Sequence, residues 1–138
     1  MAKRRRTQAP PERLILDAGA VIALSRADVR ARAALAAALE AGADVSIPAV
    51  VVAETVRDVA ADAPVNRIVK AVGEVSVADE RVGRTAGRLL GEARSDSTID
   101  ALVVAAAVEA GGAVILTGDP EDLRALSGAR PGVVIQAL

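Results

Sequence analysis

Short runs of valine, isoleucine and leucine alternate along this chain with longer stretches rich in alanine, leucine, arginine and glutamate. The short runs have the length and composition of strands buried on both faces, and the longer stretches carry apolar residues at helical spacing. This alternation is typical of βαβ units arranged around a parallel sheet. We therefore predict one α/β domain over residues 13–138, with a central, mainly parallel sheet of about five strands.

The predicted elements follow the apolar runs and the residues that end them. The strands are predicted at Leu14–Asp17, Asp44–Ile47, Glu74–Val77, Ala113–Thr117 and Val133–Gln136. The helices are predicted at Asp28–Ala41, from Pro48 onward, and at Pro64–Val72, Asp79–Arg94, Ser97–Ala110 and Glu121–Leu126. In the first helix the apolar residues repeat at Val29, Ala33, Ala36 and Ala37. The recurrence of Gly83, Gly87 and Gly91 on one helix face indicates close packing or a dimer contact.

The chain contains no Phe, Trp, Tyr, His or Cys, and these absences exclude several kinds of chemistry. Without cysteine there are no disulfides or thiolate sites, so a reducing compartment is expected. Without histidine and tyrosine there is no imidazole acid–base catalysis and no tyrosyl intermediate. What remains is carboxylate–metal chemistry, for which Mg²⁺ or Mn²⁺ is the hard cation that oxygen ligands select.

The N-terminus imitates a secretory or twin-arginine signal, because the basic run Lys3–Arg6 precedes an apolar stretch from Leu14 to Leu24. Asp17 inside that stretch is wrong for a translocated segment. We interpret residues 1–12 as a disordered basic arm. No stretch is long and uncharged enough to span a bilayer, so no membrane association is expected. The formal net charge of −1 is unlike the positive excess of a protein that coats nucleic acid.

Acidic residues stand where a parallel sheet places its ligands, beyond the carboxyl ends of the strands. Asp17 ends the first predicted strand, and Asp119 follows the fourth. Asp100 lies among apolar neighbours in the first turn of the preceding helix, and Glu54 lies two turns into the helix after the second strand. Clustered carboxylates repel one another unless a cation neutralises them. These four acids are therefore candidate metal ligands, and Asp96, at i−4, is expected on the same side as Asp100.

Each acid also has a purely structural interpretation. Aspartate caps helices and occupies turns, and glutamate forms ion pairs on exposed helix faces. It is the set of acids, more than any one of them, that favours a metal site. The structural alternatives are capping of the next helix by Asp17, a Glu54–Arg57 pair, an N-cap at Asp96, and turn or cap roles for Asp119 and Asp122.

Three segments resemble a known family. LILDAGAVIAL resembles the first strand and first acid of PIN domains, and IPAVVVAETVRD resembles the helix that carries their second acid. STIDALVVAAAVEAGGAVILTGDPEDL is the most specific segment, since its Asp-bearing helix, glycine-marked end, strand and Thr–x–Asp occur in the family's order. The chain is thus similar to PIN-domain proteins over nearly all of Leu14–Leu138, and close to the VapC-type toxins of type II toxin–antitoxin pairs.

The resemblance implies a three-layer α/β/α domain, Mg²⁺- or Mn²⁺-dependent endoribonuclease activity on RNA, frequent homodimers, and a cytoplasmic location with a VapB-type antitoxin as partner. Its metal-binding and catalytic acids match Asp17, Glu54, Asp100 and Asp119, with Asp96 and Asp122 as auxiliaries. Thr117 matches the hydroxyl beside the fourth acid. Under the same hypothesis Arg57, with Arg13 or Arg26, holds phosphates.

Gly19 departs from the family pattern, since many relatives carry Ser or Thr there, and a hydroxyl hydrogen bond to the metal shell would then be missing. This departure keeps open a degenerate PIN domain that binds RNA or a protein partner without cutting. A receiver-like or phosphatase-like domain is the third alternative. It requires an Asp-x-Asp or a late lysine, whereas Asp17 precedes Ala-Gly and the only lysines are Lys3 and Lys70.

Overall fold

Five parallel strands form a single sheet in residues 12–138, the part of the chain that the computed structural model describes. Except for Glu12, the predicted basic arm lies outside the described residues. The strands are β1 Arg13–Leu16, β2 Asp44–Pro48, β3 Val75–Ser76, β4 Ala113–Thr117 and β5 Val133–Ala137. The helices are α1 Ala18–Ser25, α2 Val29–Glu40, α3 Ala49–Thr55, α4 Ala63–Val72, α5 Glu80–Ala93, α6 Thr98–Glu109 and α7 Pro120–Ser127, with a 3₁₀ turn at Ala60–Asp62.

The strand order in the sheet is β3-β2-β1-β4-β5. Leu14 of β1 is in register with Val45 on one side and with Val114 on the other. The chain therefore builds outward from β1 to β3 and then crosses to β4 on the opposite side of β1. Such a reversal opens a crevice beyond the carboxyl ends of the two strands that flank it, here β1 and β4.

Helices cover the sheet in the two layers that the α/β/α prediction requires. Helix α1 contacts α2, α3 and α4, while α5, α6 and α7 contact one another. Leu14, Ile15 and Leu16 are all buried, as expected for a central strand covered on both faces. Alanines such as Ala101 and Ala105 are fully buried in α6 and let that helix lie close to its neighbours. No helix within residues 12–138 combines the length and the apolarity needed to cross a bilayer.

The structure adds one helix to those predicted and moves the start of another by one residue. Helix α1 is absent from the predicted elements, and its N-cap is Asp17, which was assigned to the strand. The run from Leu14 to Leu24 is apolar throughout except at Asp17, so hydropathy alone does not separate strand from helix. Pro48 is not the first residue of the helix; it ends β2 in an extended conformation and occupies the N-cap position of α3, which begins at Ala49.

The predicted apolar face of α2 is also wrong. Val29 is 80% exposed, and the helix buries Ala31 and Ala38 instead. Because alanine fills so many positions of α2, its apolar period does not distinguish one face from another.

Of the two interpretations of the α5 glycines, close packing and a dimer contact, the structure contradicts the first. A Cβ built on Gly83, Gly87 or Gly91 would meet no atom within 4 Å. Packing against this chain's own backbone is therefore not their role, and the dimer contact stays a prediction.

Candidate metal centre

The four predicted acids line one crevice at the carboxyl edge of the sheet, beside β1 and β4. Asp17 follows β1, Glu54 lies near the end of α3, Asp100 lies in the first turn of α6, and Asp119 follows β4. The crevice has a volume of about 420 Å³. Its lining consists of Asp17, Ala18, Gly19, Glu54, Asp100, Val103, Gly118 and Asp119, and these described residues include no cationic side chain.

Asp17 caps a helix and lines the crevice at the same time. Its Oδ1 accepts a hydrogen bond of 3.0 Å from the Ala20 backbone N–H, which satisfies one free donor of the first turn of α1. Its Oδ2 accepts a hydrogen bond from the Thr117 hydroxyl. The capping and metal-site interpretations of Asp17 are therefore compatible, because capping uses only one of its two oxygens.

Thr117 joins the two strand ends that carry Asp17 and Asp119. Its side chain is fully buried, and its hydroxyl donates to Asp17 while accepting a 2.9 Å hydrogen bond from the Asp119 N–H. The predicted hydroxyl beside the fourth acid is present, but its bond to Asp17 spans 100 residues of sequence. Only the pairing of β1 with β4 brings these groups together.

Asp119 does not cap a helix through its side chain, and Glu54 does not form the ion pair with Arg57 that was considered as an alternative. Asp119 occupies the N-cap position of α7, yet its side chain makes no capping hydrogen bond. Within residues 12–138 no ion pair involves Glu54. Arg57 does not pair with it; its guanidinium Nη1 instead donates to the carbonyl oxygens of Ala53 and Val56, at 2.7 and 2.9 Å.

Burial and mutual repulsion make the crevice unfavourable for negative charge. Burial raises the pKa of Asp17, against the lowering effect of its hydrogen bond from Thr117, and nearby Asp119 raises it further. Burial, followed by repulsion from Asp100 and Asp17, raises the pKa of Glu54. The pKa of Asp100 is raised by burial first and then by the charges of Asp122, Asp17 and Asp119. A cation in the crevice would relieve all of these costs.

The two auxiliary acids differ in position. Asp122 lies in the first turn of α7, outside the crevice lining but near enough to Asp100 to raise its pKa. Asp96 is exposed and precedes the N-cap Ser97. The predictions that Asp96 is an N-cap, or a helical neighbour one turn before Asp100, are therefore wrong, because α6 starts two residues after it.

The predicted phosphate-binding arginines do not line the crevice. Arg13 begins β1 at its amino end, where it borders a different groove with Asp44 and Glu74. Arg26 follows the last residue of α1, roughly 12 Å along the helix axis from the end that carries Asp17. Arg57 is held by the carbonyl groups of its own helix end.

Asp62 is not among the residues predicted from the sequence, but it orders the loop next to the site. It is buried, and its Oδ2 accepts hydrogen bonds from the backbone N–H groups of Arg57 and Val59, at 2.9 and 3.0 Å. These bonds lower the pKa of Asp62 and hold the loop that follows Glu54. The available sequence signal is an acid just before the Ala-Pro start of α4, which is typical of a cap.

The donor set fits a hard divalent cation. Carboxylates are the ligands that Mg²⁺ prefers, and such a site usually uses one or two of them together with several waters. Within the described residues no three acidic side chains lie close enough together to share one ion directly. A cation in this crevice would therefore be bound directly by at most two of the four carboxylates, Asp17, Glu54, Asp100 and Asp119, and through water by the others.

The sequence matches the PIN domain family over residues 14–128. The chain belongs to the PIN-domain family, which confirms the resemblance noted in its sequence. Among curated proteins none matches this sequence.

Solved structures with the same fold include three toxin–antitoxin complexes. VapBC2 from Rickettsia felis, bound to a promoter DNA fragment, is 14% identical with a TM-score of 0.70 and covers 91% of this chain and 98% of that chain. A toxin–antitoxin complex from Klebsiella pneumoniae is 19% identical with a TM-score of 0.67, covering 88% and 95%. DNA-bound VapBC from Salmonella typhimurium is 18% identical with a TM-score of 0.64, covering 91% and 97%. At these identities the likeness shows the fold.

Proposed function

We propose that this PIN-domain protein is a metal-dependent endoribonuclease and the VapC-type toxin of a cytoplasmic toxin–antitoxin pair. The observation that carries the proposal is the convergence of four carboxylates, from four separate elements, on one crevice whose described lining has no cationic side chain. A bound Mg²⁺ or Mn²⁺ would lower the pKa of a water molecule and stabilise the charge that develops on a phosphodiester.

The chain's own residues would hold and orient that ion. Asp17 is fixed by Ala20 and Thr117, so one of its oxygens points in a defined direction without further ordering. Asp119 is held through its backbone and keeps its carboxylate free of capping. Asp17, Glu54 and Asp100 all have pKa values raised by burial and by neighbouring acids, so a cation in the crevice would stabilise each of them as a carboxylate.

The test is cleavage of a single-stranded RNA by the metal-stripped protein, with and without added Mg²⁺ or Mn²⁺. Asp100→Asn should abolish cleavage and relieve growth arrest on expression, because it removes one carboxylate from the crevice. Asp96→Asn is the matched control, since that acid is exposed and outside the crevice, and it should cleave like the unchanged chain. Equal cleavage by the Asp100 variant would refute the proposal.

A degenerate PIN domain that binds RNA without cutting is the second candidate. It is favoured by the spacing of the acids, since no three within residues 12–138 lie close enough together to share an ion directly. The same assay separates the two functions. RNA retention at every metal concentration without any cleavage would support the binder and refute the nuclease.

We further propose that a VapB-type antitoxin binds between α2 and α4. An apolar groove there is lined by Leu35, Leu39, Val45, Ile68, Ala71 and Val72. Leu39 is 57% exposed at this groove, and Val29 on the same helix is 80% exposed. Exposed apolar grooves between helices accept the apolar face of a partner helix.

The homodimer expected from the family resemblance stays a prediction that analytical sedimentation would test.

The antitoxin proposal is tested by coexpressing this chain with the product of a short reading frame immediately upstream that encodes a small DNA-binding protein. Leu39→Glu should prevent copurification of the two proteins. Val134→Glu changes another exposed valine, 47% exposed on β5, and should leave copurification intact. Copurification of the Leu39 variant would exclude this groove as the binding surface.

A further inference from the structure

Gly19 and Gly118 bring the two acid-bearing strand ends into direct backbone contact. A Cβ built on Gly19 would lie 2.8 Å from the Gly118 nitrogen and 3.0 Å from the Gly118 Cα. These neighbours are backbone atoms, which cannot swing aside as the end of a side chain can. Any side chain at position 19 would therefore push the segment from Thr117 to Asp119 away from Asp17.

The requirement for glycine applies to only one side of this contact. A Cβ built on Gly118 would find its nearest atom, the Gly19 Cα, at 3.5 Å, which is an ordinary van der Waals distance. Neither glycine has a positive φ, so left-handed backbone conformation is not the reason for glycine at either position. The constraint at Gly19 is the closeness of the neighbouring loop.

The same two strand ends are joined by the Thr117 hydroxyl, which donates to Asp17 and accepts from the Asp119 N–H. A displacement of Gly118 moves the residues on both sides of it in sequence. It therefore strains the hydroxyl bridge and changes the separation of the Asp17 and Asp119 carboxylates. Outer-shell groups that orient metal ligands affect metal affinity strongly.

We propose that Gly19 is a positioning residue that sets the separation of Asp17 and Asp119 through its lack of a side chain. Family resemblance leads one to expect a serine or threonine there, but in this chain the backbone contact excludes it. The hydroxyl that bonds to Asp17 in this chain is that of Thr117. Restoring the family hydroxyl at position 19 would thus damage the site. This inference rests on the proposed metal-dependent function.

The experiment measures Mn²⁺ binding by titration calorimetry for four full-length proteins: the unchanged chain, Gly19→Ala, Gly19→Ser and Gly83→Ala. Both Gly19 variants should bind Mn²⁺ about 10-fold more weakly or worse, as outer-shell changes do. Gly83→Ala is the control and should stay within about threefold, because it adds the same methyl group to a glycine of α5 that lies outside the crevice and has open space around it. Tight binding by Gly19→Ser, or equal weakening by Gly83→Ala, would overturn the proposal.

Amide hydrogen exchange supplies a readout that general destabilisation does not reproduce. The Asp119 N–H, bonded to Thr117, should exchange faster in both Gly19 variants, while the amide of Ile115 inside β4 keeps its protection. If neither Gly19 variant folds while Gly83→Ala does, the contact serves folding and the positioning role is wrong. If the unchanged chain binds no Mn²⁺, the proposed function fails, whereas the Asp119 exchange still tests the steric link.

Discussion

Replacing Thr117 by valine removes one hydroxyl from the centre of the site and keeps the shape of the side chain. Thr117 is fully buried, and its hydroxyl makes two hydrogen bonds, one to the Asp17 carboxylate and one from the Asp119 N–H. Valine can make neither bond. The substitution therefore asks how much the hydroxyl bridge contributes to stability and to metal binding.

The size of the effect follows from the two lost bonds. A hydrogen bond to a charged carboxylate contributes about 1.5–3 kcal/mol and a neutral one about 1 kcal/mol. Asp119 is exposed, so water replaces part of the second bond, and the added methyl group returns about 0.8 kcal/mol. The expected net loss is about 1.5–3 kcal/mol in the free energy of unfolding, with a fall of about 3–5 °C in Tm for each kcal/mol.

Metal affinity provides the second measurement. Loss of the group that orients a ligating carboxylate weakens metal binding by about 10–100-fold, measured as the Mn²⁺ concentration that half-saturates the protein. Thr117→Ser is the matched control, because it keeps the hydroxyl and loses a buried methyl, at a cost of about 1 kcal/mol. Its metal affinity should stay within about threefold of the unchanged chain.

Comparing the Mn²⁺ affinities of Thr117→Val and Thr117→Ser shows whether the hydroxyl or the packing of Thr117 is responsible. If Thr117→Val binds Mn²⁺ as tightly as the unchanged chain, the hydroxyl bridge does not orient Asp17. If Thr117→Ser loses as much affinity as the valine variant, packing is the cause and the hydrogen bonds are not.

Three further predictions concern pH, loop order and helix stability. The pKa values of Asp17, Glu54 and Asp100 are raised, so without metal the folded state holds protons more tightly than the unfolded chain. In EDTA, the contribution of these acids to the free energy of unfolding should therefore fall as pH rises from the ordinary carboxyl range through the raised pKa values. Over the same range, the increase in Tm on adding Mn²⁺ should grow. Thermal melts across that range check the sign, and a Tm gain that shrinks with rising pH would contradict it. Asp62→Ala should speed amide exchange of its two backbone donors in the loop after Glu54, and unchanged exchange would refute the role of Asp62. Gly87→Ala should raise the free energy of unfolding by about 0.5–1 kcal/mol in chemical denaturation, because alanine favours a helix and the new methyl group lies on an open face. This increase is not expected if a partner protein covers that face.

The sequence determines the fold class and most elements because its apolar runs have clear lengths. β4 has the predicted bounds, and α5 and α6 lie within one residue of the predicted ends, since glycines and acids mark their boundaries. The start of α1 and the buried face of α2 do not follow from sequence. Asp17 separates β1 from α1, but an aspartate suits a strand end as well as a helix N-cap, and alanine lies on both the buried and the exposed face of α2.

For the acids too, part of the site follows from the sequence and part only from the tertiary structure. Their identity as a set is readable from the sequence, because Asp17 and Asp119 follow strands and the chain contains no histidine, cysteine or tyrosine. The environment of each acid was decided by tertiary structure, which pairs β1 with β4 and so places Thr117 against Asp17 and Gly19 against Gly118. It also leaves Asp96 outside the crevice. Sequence encodes local chemistry and spacing, whereas contacts across 100 residues exist only once the sheet order is set.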